Sequence, residues 1–450
     1  MSYIHYPSRL YILRDQLFRR LIFLFLALTL YLTMHNFTDF PRLVGEYNTS
    51  QDEIVENVEG GSAARQIALL VLAAAAVLSF ASYKSQIRLC PDALTSRILI
   101  AFAIWSVLSL LWADDSMLAL KRLFAFAILC AVSLAMIRMF SIAEIIQWSF
   151  VATATFLIIA IAAEVATGTL RPWVSDYRFA GIQHPNAEGV ECGLLCLSAI
   201  ALSKTEARRR WIYLFASAIG FVFLVLTGSR TSLIATVISL GVYFLLSGSQ
   251  AKKKLLLSSL VIVSLLLFVL GTGLLPVFKS ALSLERDGDY GVDSFSGRTE
   301  IWSDVSGYIL ENPLVGHGYG AFWTPAHISQ ISEEEKWGVP DSHSVYVDYL
   351  LTLGAIGLTL YLFCLGSGIK KSLELSSTEV SKEAAFVAGV LVFGLIDGFF
   401  ESSIGEGSLL MLLCMIVLNW LAFASGAKVA KPGRGTETST HLRRRFSHEF

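Results

Sequence analysis

The sequence has few charged residues, few cysteines and almost no net charge. Charged residues make up 16% of the 450 positions, against roughly 25% in an average soluble chain. No pair among the six cysteines has further zinc ligands near it in the sequence. A net charge of −1 gives no overall basic character that would indicate a nucleic-acid partner. With 54% hydrophobic residues, the composition excludes intrinsic disorder, and the cysteine usage excludes a disulfide-stapled secreted domain.

The hydrophobic residues are grouped in blocks of roughly 15–23 residues, about the length of a helix that crosses a bilayer. We therefore predict an all-α polytopic membrane protein with about twelve transmembrane helices. A basic stretch precedes the first block and no small-residue cleavage site follows it, so we interpret it as a retained span. The predicted spans are 19–37, 66–83, 97–112, 122–140, 144–166, 187–203, 211–227, 231–247, 255–275, 343–366, 383–400 and 408–425.

The connections between these spans alternate in charge. Arg208–Arg210 and Lys252–Lys254 are typical of one set, whereas Asp114-Asp115 and several acids between Glu46 and Glu59 are typical of the other. Because basic short loops stay in the cytoplasm, we expect both termini to be cytoplasmic. The predicted organisation is a cytoplasmic N-terminus (1–18), spans one to nine (19–275), a large outer loop (276–342), spans ten to twelve (343–425) and a basic cytoplasmic tail (426–450).

The outer loop, 276–342, contains eleven acidic and four basic residues. It is too long for a simple connection, which indicates a functional cap over the membrane surface. Large residues recur at helical spacing from Arg298 through Trp302 to Ile309, which predicts an amphipathic helix over 298–311. Pro313 ends that helix, and the glycines that follow it predict a run of turns.

Positively charged residues on the predicted outer side break the sidedness rule. Arg230 lies in a very short connection between two spans, Arg298 lies in the outer loop, and Arg122 opens the fourth span. A guanidinium offers a planar fork that suits phosphate oxygens, so several arginines on one face favour a bound phosphorylated ligand. For a single arginine, contact with a lipid headgroup is the alternative.

Among the histidines, His343 has the best position, because it opens the tenth span after Asp341-Ser342, either of which can cap the helix. A helix N-terminus disfavours imidazolium and leaves a neutral ring that can accept a proton. A merely polar helix-start residue is the alternative. His184, which precedes Pro185-Asn186, and His317 in the outer loop are further candidates.

Several acids lie within the predicted spans. Asp397 and Glu401 are four residues apart near the outer end of the eleventh span, and Asp348 lies in the tenth. All are within about two turns of the outer boundary, whereas a proton relay needs acids at mid-depth. Asp287-Gly288-Asp289 resembles a metal-binding DxD motif, but other acids surround it and it faces away from the nucleotide pool, so we predict no metal site.

Six segments together resemble the O-antigen ligase and Wzy-like polysaccharide polymerase superfamily, most closely the succinoglycan-type, ExoQ-like exopolysaccharide polymerases. They occur in the expected order from about residue 98 to 365: Leu111–Asp115 with Lys121-Arg122, Ala180–Asn186, Leu226–Thr231, Ser296–Trp302, Asn312–Trp323 and Asp341–His343. Each motif is loose, and the ordered set is more specific than any one of them.

The resemblance implies a GT-C-like inverting glycosyltransferase of the inner membrane that needs no metal or other cofactor and works on the periplasmic face. Its substrate would be an oligosaccharide on undecaprenyl diphosphate, and a flippase and a chain-length regulator are the implied protein partners. Arg230, Arg298 and Arg122 would bind the diphosphate, and His343 would be the base or would position the acceptor. Glycan contacts would come from the candidates His184, Asn186, His317, Trp323, Asp397 and Glu401.

Two departures and two alternatives accompany this prediction. The family commonly has Asn where this chain has Ser344, and the segment between Arg286 and Ser296 is longer than usual.

A ligase that transfers finished glycan to another acceptor uses the same parts as a polymerase. The polymerase is the first choice because of the Trp-rich loop that ends at Trp323. A twelve-span secondary transporter would explain the acids, but it predicts broken helices in repeated halves, and no matching halves are found.

Overall fold

The computed structural model describes residues 51–60, 63–82, 91, 94–174, 177–248, 298–378, 380–402 and 408–424. Within these residues all regular structure is helical. The predicted spans 19–37 and 255–275, both termini, and the Asp287-Gly288-Asp289 motif lie outside the described residues.

Thirteen α-helices follow one another in this part of the chain: α1 (Gln51–Gly60), α2 (Ala63–Ser82), α3 (Thr95–Leu108), α4 (Ser116–Met139), α5 (Ile142–Thr167), α6 (Pro185–Thr205), α7 (Arg210–Thr227), α8 (Arg230–Ser247), α9 (Arg298–Glu311), α10 (Pro325–Glu335), α11 (Val345–Leu375), α12 (Ser381–Asp397) and α13 (Leu409–Asn419). A 3-10 turn extends α3, another precedes α7, and a π-helical turn follows α13.

Five helical segments among the described residues are long and apolar enough to cross a membrane: Ser116–Met139, Ile142–Thr167, Ala207–Thr227, Arg230–Ser247 and Val345–Leu375. Arg65–Phe80, Thr95–Leu111 and Leu409–Ala424 are shorter apolar helices. The chain is therefore a polytopic membrane protein, as predicted, and the regular structure of its described residues is all helical. The total of twelve spans stays a prediction.

Local sequence explains where the helices that lead to the site begin and end. Asp115 caps α4 by accepting hydrogen bonds from two backbone amides of its first turn. Ser141 and Glu144 form a reciprocal capping box at the start of α5, and Gly168, at φ +72°, ends that helix. At α6, His184 is the N-cap and Pro185 the first helical residue, where its missing N–H costs nothing.

The centre of the bundle is α6, most of whose residues are buried. It packs against α5, α7, α8 and α12. Small residues permit this close approach: at Gly189 a Cβ would come within 2.9 Å of the Ser229 side chain, and at Gly193 it would collide with Thr236. The tight contact between α6 and α8 fixes the start of both helices, where the candidate residues lie.

A second hydrophobic core lies outside the bundle. Ile301 and Val305 of α9, Ile328 and Ile331 of α10, and Ile54 of α1 pack together in it. α1 packs on α10, which is the contact that the predicted outer position of both would require. The position of these helices relative to the membrane stays a prediction.

The long helix α11 is broken at Gly354, which has φ +66° and ψ −171°. The break is closed by the segment from Pro313 to Gly318: Pro313 O accepts from Ala355 N, and His317 N and Gly318 N donate to Leu351 O and Thr352 O, respectively. Non-helical backbone is tolerated at membrane depth only where protein satisfies its polar groups, and here the glycine turns of the outer segment do so. The apolar helix over the predicted span 343–366 is present, and the break at Gly354 is a feature that the sequence analysis did not predict.

Candidate functional site

Several chain segments meet at one end of the bundle, which we call the site end. Backbone hydrogen bonds join the start of α11 to the segment after α12 (Val345 N to Gly398 O) and the turn before α6 to the end of α7 (Phe179 N to Leu226 O). Two of the basic connections meet at the opposite end, where Lys382 donates to Lys204 O. The helices therefore alternate between two faces, and most of the predicted site residues lie at the site end.

Arg298, the first residue of α9, contacts the segment that follows α12. Its Nη2 donates to Phe400 O at 2.7 Å and to Glu401 Oε1 at 3.0 Å, and its guanidinium lies 5.7 Å from the centre of the Phe400 ring. The two side chains are only 15% and 23% exposed. The ion pair is thus half-buried, where it is screened less than a surface pair.

Asn186 extends this ion pair into a network. Its Nδ2 donates to the same Glu401 Oε1 at 2.7 Å, and its Oδ1 accepts from Arg178 Nη2 at 2.8 Å. Arg178 Nε in turn donates to Thr227 O at 2.8 Å. Burial raises the pKa of Glu401, against the lowering by Arg298, Asn186 and Arg178. The sequence prediction included Asn186, Glu401 and Arg298, but it did not assign Arg178 to the site.

His343 lies in a strained turn just before α11. Its φ is +52°, a conformation that residues other than glycine rarely adopt. Asp341 stabilises the turn, because its Oδ1 accepts from His343 N at 2.8 Å and lies 3.6 Å from the ring Nδ1. The ring stacks on Trp337, with ring centroids 5.7 Å apart and planes inclined by 22°.

The environment keeps the His343 ring neutral. Burial, followed by the positive charges of Arg298 and His184, lowers the pKa of His343 from its ordinary value of 6.5 to about 3. A neutral ring can accept a hydrogen bond from a hydroxyl group. Such a low pKa also makes it a weak base until negative charge arrives nearby, since an adjacent anion favours the imidazolium.

His184 and Arg230 also lie at the site end. His184 caps α6, with its Nδ1 3.3 Å from Asn186 N, and its side chain is exposed. Arg230 is the first residue of α8 and is exposed. The turn before it lies against Arg178, because a Cβ at Gly228 would come 3.2 Å from Arg178 Nε.

Asp397, the last residue of α12, is 5% exposed and its Oδ1 has no hydrogen-bond partner among the described residues. It lies four residues before Glu401 and close enough to interact with Ser232 of α8. Asp397 is therefore buried beside α8 rather than on the surface of the site.

Three predicted residues occupy packed positions beside the site. His317, 4% exposed, has Nδ1 2.6 Å from Asp114 Oδ2 and Nε2 3.0 Å from Tyr308 O. Trp323, 2% exposed, donates to Asp348 Oδ1 at 2.9 Å. The Arg122 side chain lies against Gly320, in the same run of glycine turns. These contacts favour a role in holding the outer segment on the bundle, and the predicted ligand contacts of these residues stay predictions.

In the part of the chain that the structure describes, no three His, Cys, Asp or Glu side chains are grouped so that they could hold a metal ion. Metal independence stays a prediction. The site offers instead guanidinium donors, a neutral imidazole, an amide and carboxylates at one membrane boundary. This set suits an anionic ligand that carries hydroxyl groups.

Comparison with known proteins points in the same direction. Residues 215–362 match the model of the Wzy_C family, described as O-antigen ligase. A stretch of 183 residues is 27% identical to an O-antigen ligase of Pseudomonas aeruginosa; it covers 40% of this chain and 39% of that protein. The chain thus spans about two fifths of the length of the relative it matches. The segment that matches the family model, residues 215–362, includes Arg230, Arg298 and His343.

Proposed function

We propose that this chain, whose residues 215–362 match the Wzy_C family model described as O-antigen ligase, is a polysaccharide polymerase of the inner membrane. It joins repeat units carried on undecaprenyl diphosphate, on the periplasmic face, by inverting glycosyl transfer without a metal ion. Both termini lie in the cytoplasm. The observation that carries the proposal is the network in which Arg298, Asn186 and Glu401 meet at the same end of the bundle as His343.

The arginines supply what the leaving group needs. When the acceptor oxygen attacks the anomeric carbon of the donor, the bond from that carbon to the diphosphate oxygen breaks and negative charge develops on the diphosphate. A fixed guanidinium stabilises this charge without reorganisation. Arg298 is held by Phe400 O in a half-buried position, and Arg230 offers an exposed guanidinium at the start of α8.

His343 acts on the acceptor. Its neutral ring accepts a hydrogen bond from the attacking hydroxyl and orients it toward the anomeric carbon. The proton passes to the ring only late in the attack. As the acceptor oxygen bonds to the anomeric carbon it loses electron density, which makes its proton more acidic, and the negative charge that builds on the diphosphate raises the proton affinity of the ring. The ring then releases the proton to water. Trp337 and Asp341 maintain its orientation throughout.

Donor binding requires an exchange of partners at Arg298. In the free protein, Glu401 Oε1 forms an ion pair with the guanidinium of Arg298, at 3.0 Å from Nη2. A diphosphate carries more charge than a carboxylate and can accept from both edges of the fork. It therefore displaces Glu401, which remains hydrogen-bonded to Asn186 at the edge of the site.

The polymerase and the ligase share this chemistry and differ in the acceptor. The likeness to ExoQ-like polymerases and the Trp-rich segment that ends at Trp323 favour the polymerase, with a flippase and a chain-length regulator as protein partners. A secondary transporter has less support, because the described helices contain no broken counterpart to α11, the one among them with a residue of positive φ in its interior.

The lipid-linked glycans that accumulate in a deletion strain distinguish these functions. The polymerase predicts single repeats on undecaprenyl diphosphate, measured by mass spectrometry of the lipid extract. Long polymers would show a ligase. An unchanged pool in which the same sugar accumulates on one side of the membrane would show a transporter.

A further inference from the structure

Asp348, in the first turn of α11, is 1% exposed and accepts hydrogen bonds from three separate parts of the chain. Its Oδ1 accepts from Trp323 Nε1 at 2.9 Å and from Ser342 N at 3.3 Å, and its Oδ2 accepts from Ser402 Oγ. Each donor lies in a different segment: the glycine turns, the His343 turn and the segment after α12.

Two of these donors are direct neighbours of site residues. Ser342 precedes His343, and Ser402 follows Glu401. One buried carboxylate thus connects the turn that carries the imidazole to the segment that carries the partner of Arg298. An ionised carboxylate can only accept hydrogen bonds, and a hydrogen bond to an ionised acceptor is stronger than one between two neutral groups.

The His343 turn needs such support. Left-handed backbone at a residue other than glycine is strained, and it persists where the surroundings over-determine it. The turn is also held by Ser342 Oγ, which accepts from Ser344 N at 3.2 Å, and by Gly398 O, which accepts from Val345 N at 2.9 Å. Of these contacts, only those of Asp348 join the turn to the glycine segment and to the residue after Glu401 together.

We propose that Asp348 is a positioning residue that sets the distance between the His343 ring and the Arg298–Glu401 pair. It touches no substrate. The proposal rests on the proposed function for its kinetic consequence, but the connection itself is a property of the folded chain and is measured separately.

The test compares three variants of the full-length protein in lipid nanodiscs. Asp348→Asn keeps the shape of the side chain but leaves one acceptor oxygen where the carboxylate has two. Ser402→Ala removes one donor from a half-buried residue. Thr352→Val is the matched control: it removes a buried hydroxyl one turn further along α11, whose bond goes to Asp348 O and not to the His343 turn.

The first readout is hydrogen–deuterium exchange of the amides from Ser342 to Val345, which is independent of activity. Asp348→Asn should make these amides exchange at least about tenfold faster, and Ser402→Ala about threefold to tenfold faster, since both open the same connection. Thr352→Val should leave them unchanged.

The second readout is glycosyl transfer from the lipid diphosphate donor. A misplacement of about 1 Å can cost about 10²-fold in rate, so kcat should fall about 10- to 100-fold in Asp348→Asn while KM for the donor stays within about threefold. Since Asp348 and Ser402 act through one connection, the double variant should lose no more than Asp348→Asn alone.

Three results would overturn the proposal: a fall in kcat with unchanged exchange, faster exchange with unchanged kcat, or losses that multiply in the double variant. If Asp348→Asn does not fold, Ser402→Ala decides, because normal exchange and normal kcat in that variant exclude the connection. If the wild-type protein transfers no glycan, the proposed function fails, while the exchange readout still shows whether Asp348 holds the turn.

Discussion

The guanidinium of Arg298 and the carboxylate of Glu401 form a half-buried ion pair with an N–O distance of 3.0 Å, although 103 residues separate them in the chain. This pair joins the extramembrane helix α9 to the end of the bundle helix α12. It also places Arg298, the first residue we propose for diphosphate binding, next to a carboxylate that such a ligand would have to displace. The consequences for binding and catalysis can be measured.

Replacement of Arg298 by lysine should abolish most activity. Arg298→Lys retains the charge but loses the fork that can hold Phe400 O and a phosphate oxygen at once. We expect kcat/KM to fall about 10²-fold, by comparison with the loss of one oxyanion donor. Arg208→Lys, at the opposite end of the bundle, is the control and should be neutral. Near-normal transfer by Arg298→Lys would exclude a bidentate role.

Removal of the charge on Glu401 should strengthen donor binding. In Glu401→Gln, the amide oxygen can still accept from Asn186, but the ion pair that competes with the diphosphate is gone. Titration of the purified variant with the lipid-linked donor should give a Kd about three- to tenfold lower than that of the wild type. A higher Kd would mean that Glu401 helps to bind the donor and does not compete with it.

The pH dependence distinguishes His343 from Glu401. Because the pKa of His343 is lowered to about 3 in the folded protein, the ring does not titrate between about pH 5 and 8 in the free enzyme, and kcat/KM reports free-enzyme groups. Any acidic limb in this range should therefore persist in His343→Gln and change in Glu401→Gln, whose carboxyl has a raised pKa. His343→Ala should lose about 10²-fold in kcat by either role. An acidic limb that disappears in His343→Gln would show that the ring is a base of ordinary pKa.

The same lowered pKa of His343 also affects stability. The unfolded chain binds a proton at this residue below about pH 6.5, whereas the folded chain does so only below about pH 3. The contribution of the neutral ring to the free energy of unfolding is therefore complete above about pH 6.5 and is lost as the pH falls toward 3.

The broken helix gives a prediction about folding. At Gly354, φ is +66° and a Cβ would collide with the backbone of Leu314, so Gly354→Ala should lower the melting temperature strongly or prevent folding. Gly307→Ala is the matched control: it lies in α9 with open space around it and should stabilise the protein by about 0.5–1 kcal/mol. The measurement is the melting temperature of both variants by thermal unfolding in the same detergent. Equal melting temperatures would contradict the packed break.

The sequence predicted the helices of the bundle better than it predicted the contacts between distant segments. Apolar blocks predicted the helices because burial in lipid requires about 20 apolar residues, whatever the neighbours are. The break at Gly354 left no trace, since a glycine in an apolar run is also compatible with a continuous helix. Its partner, the segment that begins at Pro313, lies about forty residues earlier, and hydrophobic periodicity carries no information on such long-range pairing.

For the candidate site, polar residues at a predicted membrane boundary led the sequence analysis to Arg298, Glu401 and His343, which the structure brings to the same end of the bundle. The segment Asn312–Trp323, one of those that carry the family resemblance, also suggested His317 and Trp323, whose side chains are buried in packing contacts, because a sequence motif does not report exposure. Arg178 was noted in the sequence as a charge on the outer side, but its contact with Asn186 depends on the fold.

The most direct test of the account is release of undecaprenyl diphosphate by the purified protein from a donor that carries one repeat unit, with excess chelator present. The account predicts full turnover in chelator, products lengthened by whole repeats with inverted anomeric configuration, and loss of both in Arg298→Lys and His343→Ala. Absence of release by the wild type, or turnover that returns only when magnesium or manganese is added, would contradict metal-independent glycosyl transfer at this site.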